Sequence, residues 1–291
     1  MVLPPAACDI HDEEMPLRSA PAPAALTAPT SLALLNGRTP ELHDILEIAF
    51  AGVGCSSGMQ VRDRAVRGID LHLAHLRDAS DELFGEHVED EEIRRQLRAA
   101  LRSAPADVWA TVAISSRDEA QPRRGYLDVL IHISDPVAPA VEPLSLEPVH
   151  HQRHLPWVDA ASEVPGAFLR RRARSRGYDD AVLQDDVGRL IAATSGNLTF
   201  WDGTTVAWPQ ADTFPGVTMQ ILTRQLAALG VAQQTKPVHR NQVNPQLAGV
   251  IMNSNSPGIP ISRIGARRLK GGGDFARLLQ DAYEREPFER V

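Results

Sequence analysis

Apolar residues recur along this chain at two spacings, and the switches between them outline its elements. Leu42, Ile45, Leu46 and Ala49 form one stripe at helical spacing. They follow Thr39-Pro40-Glu41, where threonine suits an N-cap and proline a first helical position. Gly58-Met-Gln-Val61 and Val66-Arg-Gly-Ile69 read as short strands either side of a charged turn, with helical patterning over Asp70–Phe84 and Glu91–Arg102. Alternation returns at Val108–Ser115 and Tyr126–Ser134, which predicts a strand pair. Beyond a proline-rich stretch, a strand is expected near Glu147–His151, then a basic helix from Gly166 to Arg176 that ends at Gly177. Strand-like segments follow at Ala181–Gln184, Leu190–Ala193, Asn197–Trp201 and Thr204–Trp208. Pro215-Gly216 opens a helix running to Leu229, Val250–Met252 and Ile259–Ile264 read as strands, and Asp274–Tyr283 closes the chain as a helix.

Many short strands among few helices predict an α/β (α+β) chain with a barrel-like, mixed sheet rather than a doubly wound parallel one. Composition shifts divide the chain into an Ala/Pro-rich leader at 1–30, expected to be disordered, and a smaller N-terminal α/β domain at 31–134. A four-proline linker at 135–148 leads to a larger, barrel-like C-terminal domain at 149–291.

The 291 residues carry 30 basic and 37 acidic side chains, a formal charge of −7. An acidic balance argues against nucleic acid or an anionic membrane as the main partner. The uncharged run from Ser19 to Gly37 is broken by Pro21, Pro23 and Pro29 and preceded by acidic residues, so it reads as neither a signal peptide nor a transmembrane helix. Cys8 and Cys55 have no metal or disulfide spacing, which fits a reducing compartment; a cytoplasmic protein is expected. Only Lys236 and Lys270 among the thirty basic residues are lysine. No chemistry that requires a lysine earlier in the chain is open to it.

Two familiar patterns fail on context. Gly52-Val-Gly54-Cys-Ser-Ser-Gly58 comes close to a dinucleotide loop, but the third glycine is one place late and a strand follows instead of a helix. His150 and His151 point to opposite faces of an extended segment, His154 lies beyond them, and His72 and His75 have no acidic or cysteine partner at ligand spacing. No metal site is expected.

The order of segments in the second half carries more information. Gly177-Tyr-Asp-Asp-Ala-Val-Leu183, Asp186-Val-Gly-Arg-Leu190, Thr194-Ser-Gly-Asn-Leu-Thr-Phe200 and Phe214-Pro-Gly-Val-Thr218 together resemble the class IV aminotransferase family, fold type IV of the pyridoxal-phosphate enzymes. That family includes branched-chain aminotransferases and aminodeoxychorismate lyases. Met59-Gln-Val61, Val66-Arg-Gly-Ile-Asp-Leu-His-Leu73 and Met252-Asn-Ser-Asn-Ser-Pro257 extend the resemblance over about residues 33 to 290. It implies two domains, an active site in the cleft between them, and a homodimer.

The resemblance also implies a Schiff-base lysine, a carboxylate on the pyridinium nitrogen and an arginine on the phosphate. At the matching positions this chain has Asp159, Ala192 and His75. The expectation is therefore a scaffold without pyridoxal phosphate, with no cofactor, acting on a small-molecule substrate by cyclisation, elimination, isomerisation or hydrolysis, with specialised biosynthesis as one setting. Asp159, in a cleft beside Trp157, is expected to have a raised pKa and to act as acid or base, with His75 titrating near neutrality as its partner. Cys55, Ser57, Ser195 and Asn197 are candidates to orient substrate, and Thr218, Asn253, Ser254, Asn255 and Ser256 to meet an anion or carboxylate. A non-catalytic partner subunit and a protein that holds the cofactor non-covalently remain the alternatives.

Overall fold

The computed structural model describes residues 31–50, 52–117, 127–160 and 163–291, so the expected leader lies outside the described residues. The first half contains β1 (Ser31–Leu35), α1 (Leu42–Phe50), β2 (Gly54–Arg62), β3 (Ala65–Arg67), α2 (Ile69–Phe84), α3 (Asp90–Arg102), β4 (Val108–Ser116) and β5 (Leu127–Ser134). The second contains β6 (Leu144–His150), α4 (Val164–Ser175), β7 (Asp180–Gln184), β8 (Leu190–Ala193), β9 (Asn197–Trp201), β10 (Thr205–Pro209), α5 (Val217–Ala228) and β11 (Ala232–Lys236). It continues through β12 (Ala248–Asn253), β13 (Ser256–Ile264), β14 (Arg267–Arg268), α6 (Gly273–Glu284) and β15 (Phe288–Arg290).

Two sheets result. One runs β1-β5-β4-β2-β3-β15, and the other β11-β10-β9-β12-β13-β6-β7-β8 with β14 on β13. The second mixes parallel pairs (β10–β11, β13–β6, β6–β7) with antiparallel ones, as the short-strand pattern predicts. Alternation in β2 buries Cys55, Ser57, Met59 and Val61 on the face that α2 covers. Ile69, Leu73, Leu76, Ile93 and Leu97 fill that core. The second sheet buries Leu146, Phe200, Ile251 and Ile261 in one cluster, and packs Trp208 and Val250 against Leu222 of α5 and Phe275 of α6 in another.

The architecture departs from the sequence pattern in three places. The stripe on α1 faces outward: Leu42 is 75% exposed and Phe50 82%, while the buried member of the helix is Asp44. Asp44 turns inward because Arg38 and Arg117 both pair with it, and an ionised carboxylate is buried only with such partners. The strand β15 leaves the C-terminal half and pairs with β3, so the last residues complete the first sheet. The strand β6 begins at Leu144, inside the segment read as a linker. The pattern does not foresee β1, β14 or β15, and β11, where Lys236 resembles part of an outer strand, is an edge strand whose polar Ala-Gln-Gln-Thr-Lys sequence has no apolar alternation.

Close backbone approach locks the turn between β8 and β9 onto β12. A Cβ on Gly196 would lie 2.1 Å from the Met252 carbonyl oxygen. Gly196→Ala is expected to destabilise the fold by about 1–3 kcal/mol, since backbone must move to admit the methyl group. A lowered urea midpoint with unchanged slope would register it.

Candidate active site

A cavity of about 170 Å³ opens where β2 and α2 of the first half meet the turns of the second. Ser57 of β2 and His75 of α2 line one wall. Arg153 and Asp159, from the segment after β6, line another. The Thr194-Ser195-Gly196 turn, Asn197, Phe214, the start of α5 at Val217 and Thr218, and Asn253 with Ser254 complete it.

The backbone of Ser56 holds two of these groups. Its N–H donates to the Asp159 carbonyl at 3.4 Å, beside a bridge between Cys55 and Ala160 that ties the Asp159 segment to β2. Its carbonyl lies 3.1 Å from Nε2 of His75. A carbonyl only accepts, so Nε2 carries the hydrogen and neutral His75 keeps its lone pair on Nδ1. The Phe214 ring stands 4.3 Å from the His75 ring, centroid to centroid.

Electrostatics follow from this burial. Burial pushes the Asp159 carboxyl above the usual carboxylate range, opposed by the charges of His75 and Arg153. Burial pushes His75 below its ordinary value, against the pull of Asp159. Burial thus favours the uncharged imidazole. One helical turn away, His72 is fully enclosed and lowered to about 3, with Nδ1 2.7 Å from the Ser57 hydroxyl.

Most of the remaining polar groups hold one another. The Asn197 amide donates to the Phe214 carbonyl at 2.7 Å, and its oxygen accepts from the Gly216 N–H at 3.0 Å. Thr218 donates its hydroxyl to the Asn253 carbonyl, and the Asn253 amide donates to the Ser195 carbonyl. The hydroxyls of Thr194 and Ser195 both donate to buried Asp180, and Arg170 clamps Thr194 from outside. Arg170, on the basic helix α4, is thus tied into the site's wall.

Among the residues singled out from the sequence, Asp159, His75, Ser57, Ser195, Asn197, Thr218, Asn253 and Ser254 come together on the cavity; Cys55, Trp157, Asn255 and Ser256 do not line it. The Cys55 thiol turns into the core toward Ser80 and the Leu76 carbonyl. Trp157 is 53% exposed and encloses nothing. Asn255 and Ser256 give their backbone N–H groups to the Asn253 side chain in a turn. Sequence reasoning missed Arg153, which lies in a histidine-rich run that reads as surface. Its Nε is buried without a hydrogen-bond partner, 3.7 Å from Glu163.

The depressed pKa of His72 has a consequence for stability. Its folded value of about 3 lies below the ordinary value of about 6.5, so the unfolded chain takes up the proton first. Stability is complete above about pH 6.5 and falls by roughly 1.4 kcal/mol per pH unit from this group as the pH drops toward 3. In His72→Asn, denaturation curves across that range should have a correspondingly shallower acid slope.

Residues 54–264 match the family model described as amino-transferase class IV. No curated protein matches the chain. Among solved structures, the branched-chain amino acid aminotransferase from Escherichia coli superposes with a TM-score of 0.74 at 16% identity, over 87% of this chain and 92% of that one. The branched-chain aminotransferase from Thermoproteus uzoniensis, solved with norvaline, gives 0.72 at 16% identity over 88% and 94%. A putative 4-amino-4-deoxychorismate lyase from Legionella pneumophila gives 0.72 at 15% identity over 82% and 93%. At such identities the likeness speaks for the fold alone.

Proposed function

The chain belongs to the class IV aminotransferase family, and we propose that it works on that scaffold without pyridoxal phosphate, as an acid–base enzyme acting on a small metabolite. The observation that carries the reading is the pairing of Asp159 and His75 on one cavity, each within reach of the other's charge. The donor set argues against the cofactor. The cavity lining has a carboxyl group and no amine among the described residues. The only lysines in the sequence, Lys236 and Lys270, are exposed at the end of β11 and beyond β14. A carboxyl group cannot form an imine with an aldehyde.

Burial favours the pair in its uncharged form, a protonated acid beside a neutral base. Nδ1 of His75 takes a proton from the substrate carbon while Asp159 delivers its own to the leaving or accepting atom. The imidazolium and carboxylate so formed are costly in a dry site, and proton return from His75 to Asp159 restores the starting state. Elimination, isomerisation and cyclisation at carbon draw on this transfer, and in hydrolysis His75 would take the proton from the attacking water instead; transamination draws on neither. Ser57, with its hydroxyl fixed by His72, is the polar contact that orients substrate on the β2 wall.

Two measurements test the reading. Purified protein mixed with pyridoxal phosphate should develop no imine absorbance; a stable band would sink the cofactor-free proposal. Comparison of metabolites with and without the gene supplies a substrate, on which Asp159→Asn and His75→Ala should each lower kcat about 100-fold or more. Full activity in both variants would overturn the acid–base roles.

We also propose that a second copy covers the exposed stripe of α1. Leu42, Ile45, Leu46 and Phe50 are open to solvent in the single chain, a contiguous apolar strip of the kind that dimer interfaces bury. Sedimentation should give a dimer that Leu46→Glu converts to monomer. A monomeric native protein would refute this.

A further inference from the structure

A second and larger cavity, about 360 Å³, lies on the first half, where the β2–β3 turn meets the end of α3 and β15. Four arginines stand around it: Arg64 in the turn, Arg98 and Arg102 on successive turns of α3, and Arg290 on β15. Its floor is apolar, formed by the buried side chains of Leu101 and Val291. Of the four, only Arg98 has a carboxylate partner among the described residues, Glu91. Asp63 is the one acidic side chain among the lining residues. In a chain with a formal charge of −7, three exposed arginines without a carboxylate partner among the described residues line one concavity.

The turn adds a separate observation. Asp63 and Arg64 are the two central residues between β2 and β3, with φ of 47° and 58°. A two-residue hairpin of this kind favours Asn-Gly, because glycine adopts positive φ freely and residues with a Cβ do so at a cost. An arginine at the position that suits glycine is a local structural compromise. Such compromises cluster where a side chain serves a ligand. The side chain in question lines the cavity.

We propose that this cavity is a binding site for a compact oxyanion bearing two or more negative charges, such as a phosphate ester, a diphosphate or a polycarboxylate. Arg64, Arg102 and Arg290 each present a planar fork of N–H donors, which matches pairs of phosphate or carboxylate oxygens. They come from the β2–β3 turn, the end of α3 and β15, three separate parts of the chain. The apolar floor accommodates a short carbon frame. The site shares no lining residue with the Asp159 cavity and does not depend on the reaction proposed there.

Calorimetric titration of the full-length protein at low ionic strength tests this, with pyrophosphate and citrate as probes and chloride at matched ionic strength as control. Saturable binding of pyrophosphate or citrate, weakened roughly 10-fold or more in Arg102→Gln and in Arg290→Gln, is the expected result. A stronger response to pyrophosphate would favour a phosphorylated ligand, and one to citrate a carboxylate. The Arg64→Gly variant separates function from folding. It should bind at least about 10-fold more weakly while its Tm rises by about 2 °C, because the backbone strain is relieved. Absence of saturable binding by both probes, binding untouched by all three substitutions, or a chloride control that binds as well would overturn the proposal. A lowered Tm in Arg64→Gly would remove the argument drawn from the turn.

Discussion

One residue's backbone sets the geometry of the Asp159 cavity. Ser56 sits on β2 with its N–H on the Asp159 carbonyl and its C=O on the His75 imidazole. These groups come from parts of the chain more than eighty positions apart in sequence, and a single peptide neighbourhood brings them together. The arrangement is rigid because β2 is paired with β4 along its length, from Gly54 with Ser115 to Val61 with Val108. A strand fixed on one side cannot follow a helix or loop that drifts, so α2 and the Asp159 segment are held to it instead. The tautomer of His75 depends on this bond as well, since a carbonyl at Nε2 leaves the lone pair on Nδ1.

The opposite wall is built by mutual satisfaction of polar groups. Asn197, Thr218 and Asn253 are the kinds of side chain that bind ligands, yet here they spend their hydrogen bonds on the 214–216 loop, the β12–β13 turn and the Ser195 carbonyl. In a low-dielectric interior a satisfied network of this sort fixes one conformation. The close approach of Gly196 to Met252 and of Gly216 to Asn197 admits no larger side chain at either turn. The wall is therefore a frame. His75, Asp159, Ser57 and Arg153 stand on the cavity outside that frame.

Much of this was legible in the sequence, and the limits have physical causes. Long periodic elements such as α2, α3, β4 and β5 were found within a residue or two, because their burial repeats along many positions. The frame residues announced themselves through ordered short motifs. What escaped was decided by tertiary contact. The apolar stripe of α1 predicts a buried face, but the ion pairs of Asp44 with Arg38 and Arg117 turn the helix over. Cys55 and Ser57 alternate correctly on β2, yet only Ser57 reaches the cavity while Cys55 meets Ser80 beneath α2. Arg153 lies in a run of polar residues with no pattern, and folding alone gives it a place beside Asp159. Pairing of β15 with β3 joins residues over two hundred positions apart, which local alternation cannot foresee.

The energetics of the Asp159–His75 pair bear on whether the cavity is vestigial. A site relieved of its chemistry is free to fill with side chains that pack well and cost nothing, as Ala192 does on this lining. An acid and a base are the opposite choice. Burial raises the carboxyl and lowers the imidazole, and each shift is free energy withheld from the charged form. His72 adds a second buried imidazole, whose hydrogen bond serves only to hold Ser57. Asp159 and His75 line one cavity and His72 stands behind Ser57 of its wall, and three groups shifted against their charged forms in one neighbourhood mark a candidate functional site. Under the proposed function these shifts have a use, because raising the acid and lowering the base brings the two closer to exchanging a proton at small cost.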